Sequence, residues 1–527
     1  MAKLALMQAS AHFSPFKICT TCRGNVYYWT FMDFGRYTQH LLAAAFILAA
    51  IAATGIFRYM EGPPRGVHQW RQTDCASIAL NYFQDSPGFF HPQEHNLTGE
   101  NGATVSEFPV LYYLDAQLYR LFGAHELIMR LVNLLFLVAG LGYLYRLGML
   151  LHGSFLLAMI PVLLLISSPV WVYYGVHFLP NVPAISCCIA GWFYFFQWRE
   201  TPSKKWLITW LVLFLSGALL KTSDGMSLLT AGIILLILER RQTWWKRGWF
   251  AGGLVTLMLL GIWIMFAAWY NRSHHNELSL LGILPFWQYD GDYFQSIAAR
   301  FYRDWSLHLF HPAVWVIQGL MCLQVFMFFK RLPVLLRQVI SWTGIGSVVY
   351  LLLWTEPLYH HDYYMLTPFI FLIFLVIGSM YLLRRRTAVV SNAIGGILTA
   401  GSLAVILLYQ PGMQELRNQG VQYENVASGF YTIGPWLESM GVPPDARVIS
   451  VGDQTRNISL YLMNRRGWTD VYNRRKITYQ QKVDEGARYV VVSGEPTKQS
   501  EDTPVDSLTF LGEYEGIRLY EIPGSVN

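Results

Sequence analysis

The sequence predicts a mainly α-helical, polytopic membrane protein with about eleven transmembrane helices and a small α/β domain at its C-terminal end. Of the 527 residues, 54% are hydrophobic, 16% are aromatic and only 14% are charged, whereas soluble proteins carry about a quarter charged residues. This composition excludes a disordered chain or a disulfide scaffold and makes an ordinary soluble globule improbable. The net charge of +6 does not by itself indicate a nucleic-acid partner, and none is predicted.

The transmembrane helices are predicted from apolar stretches of about 17–25 residues, a length that can cross a bilayer. They lie near residues 40–57, 127–149, 155–173, 179–197, 206–220, 225–239, 249–270, 312–330, 338–355, 363–383 and 391–410.

The orientation follows from the distribution of charge between the two sides. With the N-terminus in the cytoplasm, the cytoplasmic segments hold 18 basic and 3 acidic residues, against 9 basic and 15 acidic residues in the rest of 1–410. The positive-inside rule therefore predicts a cytoplasmic tail (1–39), a transmembrane domain (40–410) and an extracytoplasmic segment (411–527) in a bacterial inner membrane. The first span is interpreted as a retained signal anchor.

Two long outer loops, 58–126 and 271–311, are candidates for functional segments, because long connections are uncommon in compact domains. In the first loop, residues 69–84 are predicted to form a helix that its aromatic residues press against the membrane surface. Residues 108–122 are predicted to form a second, interfacial helix, with Pro109 in its first turn and Gly123 just past its end.

Residues 411–527 have the pattern of a soluble α/β domain. Buried strands are predicted at 447–452 and 488–494, a helix at 455–464 and a hairpin at 508–522. At about 117 residues, this segment is long enough to fold alone.

The first outer loop carries the candidate catalytic residues. Asp74 follows Arg71 by three residues, and such a carboxylate near the lipid boundary could be a general base held ionised by the arginine. The alternative is a solvated interfacial acid paired with Arg71. Glu107 stands at the start of the second interfacial helix, where it has either an electrostatic role at the helix N-terminus or a substrate role.

Candidate ligands for a phosphate lie in the other outer loops. Lys221, in LLKTSDG, either extends to the membrane interface or receives an anionic headgroup. Arg300 and Arg303 share a helical face, and they too either extend to the membrane interface or bind an anionic headgroup. The planar guanidinium group is well suited to binding phosphate. The loop before the tenth span contains His360, His361 and Asp362, which are residue types that bind metals. Adjacent histidines cannot both face one metal, however. The loop could instead hydrogen-bond to a phosphate or sugar, or could simply be solvated.

The sequence contains few motifs that would bind a metal or a nucleotide cofactor. Cys19 and Cys22 form a single CxxC, which is weak support for zinc, so no cofactor is predicted with certainty and a divalent metal stays open. The chain contains no GxGxxG, Walker loop, HExxH or GxSxG arrangement. A donor must therefore be available at the outer leaflet, which favours a lipid-linked one.

Several motifs together resemble a known family. WRQTD…IALNYF, FFHP and SEFPVLYYLDAQLYRLFG with Arg130, followed by LLKTSDG and HHDYYMLTPF, are similar to bacterial polyprenyl-phosphate-dependent glycosyltransferases of the GT-C fold. These are the family 39-like relatives of protein O-mannosyltransferases and aminoarabinose transferases. The resemblance covers roughly residues 40–385. The family's first-loop motif commonly reads Asp-Glu; here Asp74 matches the aspartate and Cys75 takes the second position, which directs attention to Glu107 as partner.

The resemblance implies a glycosyltransferase that moves a sugar from a polyprenyl phosphate to a glycolipid, polysaccharide or protein acceptor, with membrane lipids around it. Asp74 would take the proton from the acceptor in a single inverting displacement, with Glu107 as the second catalytic acid. The donor phosphate would be met by Lys221, Arg300, Arg303, His360 and His361. The implied substrate-binding residues are His68, Arg71, His91, Asp362 and Tyr363.

Two alternatives remain open from the sequence. An O-antigen polymerase or ligase would use a diphosphate-linked donor, although its chemistry is expected in a late loop. A lipid or solute transporter would place polar sites near the bilayer midplane, often in matching halves, whereas the acids here gather at the outer boundary.

Overall fold

The structure is a computed structural model that describes residues 35–239, 247–276, 282–419, 426–472 and 476–524. The chain divides into two compact units, Met1–Leu41 and Leu42–Asn527. Within the first, residues 35–41 are described and contain the start of a helix. The predicted tail with Cys19 and Cys22 otherwise lies outside the described residues, and everything below concerns the second unit.

Helices make up most of the described chain. In the first half they are α1 (Arg36–Ala53), α2 (Gln69–Gln84), α3 (Val110–Phe122), α4 (Glu126–His152), α5 (Phe155–Ile166), α6 (Pro169–Tyr174), α7 (Asn181–Glu200), α8 (Lys204–Leu220) and α9 (Met226–Leu238). The later helices are α10 (Gly248–Ser273), α11 (Gly291–Arg300), α12 (Ser306–Leu309), α13 (Pro312–Met327), α14 (Val334–Leu353), α15 (Pro357–His360), α16 (Phe369–Arg384), α17 (Ala388–Leu408), α18 (Gln410–Gln419), α19 (Gly434–Ser439), α20 (Ile458–Met463) and α21 (Tyr479–Asp484).

Each of the eleven predicted apolar stretches contains a helix. Within the described residues, five helical segments are long and apolar enough to cross a membrane, or six if one pair bent by 96° counts as a single span. The five are Glu126–His152, Gly248–Ser273, Val334–Leu353, Asp362–Arg384 and Ala388–Gln419, and the bent pair is Gly291–Leu309 with Pro312–Met327. The predicted total of eleven spans stays a prediction.

The transmembrane helices pack around one large apolar core and expose apolar residues outward. Helix α7 packs against α4 and α8, and its Trp192 is fully buried against Phe214 and Phe374. On the outer surface, Phe326 of α13 is 81% exposed and Leu408 of α17 is 85% exposed. Apolar surface of this extent is what a bilayer covers, which agrees with a membrane protein.

Both predicted helices of the first outer loop are present as α2 and α3, with Pro109 and Gly123 at the two ends of α3. The expected placement of α2 was wrong. Its Ile78 and Tyr82 are buried in an apolar cluster with Tyr112 of α3 and Tyr461 of α20, so protein contacts rather than the membrane surface hold it. Helix α3 does expose apolar residues, including Phe122, as an interfacial helix should.

The C-terminal segment forms a mixed sheet of five described strands. Its strands are β1 (Arg447–Val451), β2 (Gly467–Trp468), β3 (Ala487–Val492), β4 (Thr509–Tyr514) and β5 (Ile517–Glu521), and the order within the described residues is β2-β1-β3-β5-β4. Strand β1 runs parallel to β2 and β3, while β5 pairs antiparallel with β3 and β4. The predicted strands, the helix α20 and the hairpin are confirmed; the two-residue β2 was not foreseen.

The first outer loop extends this sheet. The backbone N–H of Leu97 donates to Gly467 O at 2.7 Å, and Gly467 N–H donates to His95 O at 3.0 Å. Leu97 is buried with Ile449 and Trp468 in the core of the sheet. The loop and the C-terminal strands thus share one hydrophobic core, and this packing fixes α2 relative to the sheet.

A close backbone approach joins the start of the first loop to the end of α18. Gly66 has a φ of +79°, and a Cβ there would lie 2.3 Å from Arg417 O. Val67 N–H donates to the same oxygen at 3.0 Å. Glycine is therefore required at position 66, both for its left-handed backbone and for its lack of a side chain.

Candidate active site

A cavity of about 230 Å³ brings together five of the residues singled out in the sequence. Helix α2 and the first outer loop contribute three of them, the end of α8 a fourth and the loop before α16 the fifth. The five are Arg71, Asp74, Glu107, Lys221 and Tyr363, and the rest of the lining consists of Ser106, Pro180, Asn181, Leu220, Thr222, Ser223, Trp354 and Tyr364. Both carboxylates and two cations thus face one space.

Arg71 is fixed by the residues just before α3. Its Nη2 donates to both oxygens of Glu107, at 2.7 and 2.6 Å, and to Ser106 Oγ at 3.0 Å. Glu107 also accepts a hydrogen bond from the Tyr112 hydroxyl. A carboxylate so occupied holds the guanidinium in one orientation, because charge-assisted hydrogen bonds are strong and directional. Glu107 and Asp74 are therefore linked through Arg71, whose Nη1 lies 3.9 Å from Asp74 Oδ2.

Asp74 is 8% exposed, and its second contact comes from the C-terminal domain. Asn457 Nδ2 donates to Asp74 Oδ1 and to Glu94 Oε2, at 2.9 Å in both cases. The amide thus bridges two carboxylates, and Glu94 in turn is paired with Arg456. The carboxylate that shares a hydrogen-bond donor with Asp74 is therefore Glu94 rather than Glu107. The neighbouring Cys75 has its Sγ 3.2 Å from the Tyr112 hydroxyl oxygen.

The pKa of Asp74 is raised to about 7. Burial is the largest cause and the negative charge of Glu94 the second, while Arg71, Arg456 and the Asn457 hydrogen bond act in the opposite direction. A carboxyl group with a pKa near neutrality can both accept and release a proton at the pH of a cell envelope. The predicted pairing of Asp74 with Arg71 is present, but Asp74 is buried rather than solvated.

Lys221 stands at the C-terminal end of α8, where it meets two tyrosines. Its Nζ lies 4.2 Å from the ring centroid of Tyr364 and 5.4 Å from that of Tyr363. Aromatic faces hold an ammonium group without neutralising its charge. These two contacts orient the ammonium group in the cavity lining.

A buried ion pair lies beside the cavity and holds the loop that carries Tyr363. Asp362 accepts hydrogen bonds from Arg417 Nη1 and from the Tyr174 hydroxyl, both at 2.7 Å, and the side chains of Asp362 and Arg417 are both 0% exposed. His68 Nε2 lies 3.3 Å from Asp362 Oδ1. Asp362 and His68, predicted as substrate ligands, are thus engaged with protein groups.

His361 packs next to this pair rather than standing free in the loop. Its ring is 5.1 Å from the rings of His68 and Tyr363. Burial lowers the pKa of His361 well below its usual value, and the positive charges of His68, His360 and Lys221 lower it further. A neutral imidazole can hydrogen-bond to a phosphate but adds no positive charge.

The other predicted ligands lie outside the cavity lining. Arg303, His360 and His91 are exposed on the surface. Arg300 is paired with Asp304 at 2.9 Å, and its guanidinium lies 5.1 Å from the Trp305 ring. In the described residues, no group of three His, Cys, Asp or Glu side chains is arranged to hold a metal.

Sequence reasoning missed three residues that the geometry places at the site: Asn457, Glu94 and Arg417. Asn457 lies 383 positions from Asp74, so no local spacing could have indicated the contact. Glu94 lies in the first outer loop and Arg417 in α18, and neither was among the candidate residues predicted from the sequence.

Comparisons with known proteins agree with this architecture. Residues 106–267 match the sequence model of the family described as dolichyl-phosphate-mannose-protein mannosyltransferase. No curated protein matches the chain.

Solved structures cover nearly the whole chain. ArnT from Cupriavidus metallidurans bound to undecaprenyl phosphate has a TM-score of 0.59 at 13% identity, covering 94% of this chain and 100% of that one. The arabinofuranosyltransferase AftD from Mycobacteria has a TM-score of 0.54 at 14% identity over 94% of this chain and 40% of its own.

A third neighbour is the archaeal oligosaccharyltransferase AglB from Archaeoglobus fulgidus, in complex with an inhibitory peptide and a dolichol-phosphate. It has a TM-score of 0.53 at 9% identity over 87% of this chain and 70% of its own. Identities this low speak for the fold, and all three neighbours share it. The chain is a membrane protein with the GT-C fold of polyprenyl-phosphate-dependent glycosyltransferases, as its sequence motifs indicated.

Proposed function

We propose that this chain is a glycosyltransferase that moves a sugar from a polyprenyl-phosphate donor to an acceptor on the extracytoplasmic side of a bacterial inner membrane. The observation that carries the proposal is the single cavity that Asp74, Arg71, Glu107 and Lys221 line together. A neighbour of the same fold is bound to undecaprenyl phosphate, and residues 106–267, which include Glu107 and Lys221, match the mannosyltransferase family.

Asp74 acts as the general base in a single inverting displacement. The acceptor O–H or N–H bond breaks, its proton moves to an Asp74 carboxylate oxygen, and the acceptor atom forms a bond to the anomeric carbon. The bond from that carbon to the phosphate oxygen breaks with its electron pair, which leaves polyprenyl phosphate. A base whose pKa is about 7 suits this work, because a general base is most effective near the operating pH.

The cations of the cavity stabilise the leaving group. Lys221 lines the same cavity as Asp74 and supplies a positive charge for the phosphate as negative charge develops on it. Arg71 cannot move freely toward the donor, because Glu107 and Ser106 hold its Nη2. We assign Glu107 the task of fixing Arg71, and we place Arg300 and Arg303 outside the reacting centre.

The acceptor side is assigned to the face of Asp74 that the C-terminal domain covers. Asn457 holds one carboxylate oxygen of Asp74, so the domain participates in positioning the base.

The substitution Asp74→Asn tests the proposal. Asparagine has the same shape and can still accept the Asn457 hydrogen bond, so folding should be retained while the base is lost. We expect transfer to fall by about 10²–10⁴-fold, the usual contribution of general-base catalysis. Purified protein would receive radiolabelled polyprenyl-phosphate sugars with candidate acceptors, and released polyprenyl phosphate would be measured.

The control is Asp445→Asn, an exposed aspartate of the C-terminal domain, which should transfer at the wild-type rate. Thermal unfolding of all three proteins should agree within a few degrees. Near-wild-type turnover by Asp74→Asn would remove Asp74 from the mechanism. Failure of the wild type to release polyprenyl phosphate from any donor would contradict the activity itself.

A further inference from the structure

A second cavity opens between α2 and the C-terminal domain. Its volume is about 690 Å³, which lies in the range of about 300–1,000 Å³ typical of small-molecule sites. Trp70 of α2 forms one wall, and segments 454–456, 470–472 and 497–499 contribute the remainder. We call this cavity the acceptor groove, and it plays no part in the chemistry assigned to Asp74 and Lys221.

Two aromatic rings flank the acceptor groove. Trp70 is partly exposed, and Tyr472 is 79% exposed although it carries a large ring. Such rings offer flat apolar faces together with a polar edge, a combination suited to one-sided contact with a ligand that is apolar on one face and polar elsewhere. The C–H faces of sugar rings have this character.

A buried carboxylate in the groove wall supports a hydroxyl-bearing ligand. Asp470 is 3% exposed, and its Oδ2 accepts hydrogen bonds from Gly452 N–H at 2.9 Å and Ser500 Oγ at 2.8 Å. Its Oδ1 has no hydrogen-bond partner within the described part of the chain. A buried polar atom of this kind is costly unless a ligand or solvent satisfies it, and a carboxylate oxygen accepts only from donors such as sugar hydroxyls.

The acceptor groove and the catalytic cavity are neighbours along the chain, although no described residue lines both. Trp70 in the groove and Asp74 in the cavity are four residues apart on α2, which is about one helical turn. Arg456 lines the groove, and the next residue, Asn457, donates to Asp74. The groove and the proposed base are therefore adjacent both along α2 and along the segment that holds Asn457.

We propose that the acceptor groove binds the saccharide portion of the acceptor, whether it belongs to a glycolipid or to a polysaccharide. This inference rests on the proposed function, because it names the class of substrate for that site. A peptide that binds by adding a strand to a sheet edge does not fit this groove. The described lining residues come from α2 and loops rather than from β1–β5.

The test measures binding by the full-length protein in detergent, without any donor. The probes are fluorescently labelled oligosaccharides released from bacterial lipopolysaccharide, labelled capsular polysaccharide fragments and labelled Ser/Thr-containing peptides. We expect at least one saccharide probe to bind, and Tyr472→Ala and Trp70→Ala each to weaken that binding by about tenfold. The matched control is Phe510→Ala, which removes another exposed ring of the same domain (56% exposed) from strand β4.

The outcomes separate this inference from the proposed function. Preference for the lipopolysaccharide oligosaccharides or for the capsular fragments identifies the source of the saccharide, and either result supports the inference. Binding of peptides alone, absence of saccharide binding, or equal binding by Tyr472→Ala, Phe510→Ala and the wild type would overturn it. Donor turnover is measured in a separate assay. If the wild type releases polyprenyl phosphate but no saccharide binds in the acceptor groove, the proposed function is retained and only this inference is rejected.

Discussion

At the scale of single residues, the site depends on which hydrogen-bond donor each of its three carboxylates contacts. The donors are the guanidinium of Arg71 and the amide of Asn457. Glu107 is occupied by Arg71, whereas Asp74 and Glu94 share one amide from Asn457. Two carboxylates on one amide repel each other, which makes it harder to ionise Asp74. Asp74 is thereby distinguished from Glu107, although both stand in the same cavity.

The pH dependence of transfer should report this arrangement. The base must be deprotonated to accept a proton, so kcat/KM should rise with pH and reach half its maximum near pH 7, the pKa of Asp74. In Glu94→Gln the negative neighbour is gone, the pKa of Asp74 falls and the acidic limb should move to lower pH. In Asn457→Ala the hydrogen bond that favours the carboxylate is lost, so the limb should move to higher pH.

The measurement is a pH profile of kcat/KM for both variants, with Glu100→Gln as the control. Glu100 lies in the same loop and is exposed, and its profile should match that of the wild type. If the acidic limbs of the two variants shift in the same direction, or if neither limb shifts, Asp74 does not govern the pH profile of kcat/KM.

At the scale of elements, α18 continues the direction of α17 beyond the apolar segment and carries its polar residues inward. Arg417 of α18 pairs with Asp362 and also contacts His308 Nδ1 at 2.9 Å. The same guanidinium lies 4.5 Å from the Tyr173 ring of α6. One side chain thus joins α18, α12, α6 and the loop before α16, and this loop carries Tyr363 into the cavity.

Removing one partner of this buried pair should destabilise the protein strongly. For Arg417→Met we expect a loss of about 3–5 kcal/mol in the free energy of unfolding, because Asp362 is left as an uncompensated buried charge. The double variant Arg417→Met/Asp362→Leu should recover part of that loss. A denaturant titration in detergent, followed by tryptophan fluorescence, measures both.

The control for this pair is Lys476→Met, which removes a pairing with Glu501 at 3.0 Å on the surface. Exposed pairs contribute about 0–1 kcal/mol, so this variant should unfold close to the wild type. If Arg417→Met were as stable as Lys476→Met, the buried pair would not be the link between these elements.

At the scale of the whole molecule, the C-terminal sheet and the first outer loop share one hydrophobic core, and we propose that both lie on the extracytoplasmic side. Labelling of single cysteines, placed in a variant that lacks the native ones, checks which side this is. In spheroplasts, a membrane-impermeant maleimide should label Lys498→Cys, on the rim of the acceptor groove. It should label Lys204→Cys, at the start of α8, only after permeabilisation. Both positions are exposed, so the reverse pattern would contradict the proposed orientation.

Local patterns were enough to predict α2, α3 and the larger strands. Apolar period, Pro109 and Gly123 act within a few residues of the element they delimit, so they can be read directly from the chain. The short strand β2 was missed because two residues, Gly467 and Trp468, carry no alternation to detect. The surface on which α2 rests was also misjudged, since periodicity identifies an apolar face but not the partner that covers it.

The sequence alone determined that this is a helical membrane protein with a small α/β segment, and its motifs indicated the GT-C fold. It also predicted Asp74, Glu107 and Lys221 as site residues, which stays a prediction. Only the tertiary structure decided which charges meet. It joined Asp74 to Asn457 and Asp362 to Arg417, and it left His91, Arg303 and His360 on the surface. The physical reason is that composition and periodicity are local quantities, whereas the ionisation of a buried acid depends on neighbours that folding brings from distant parts of the chain.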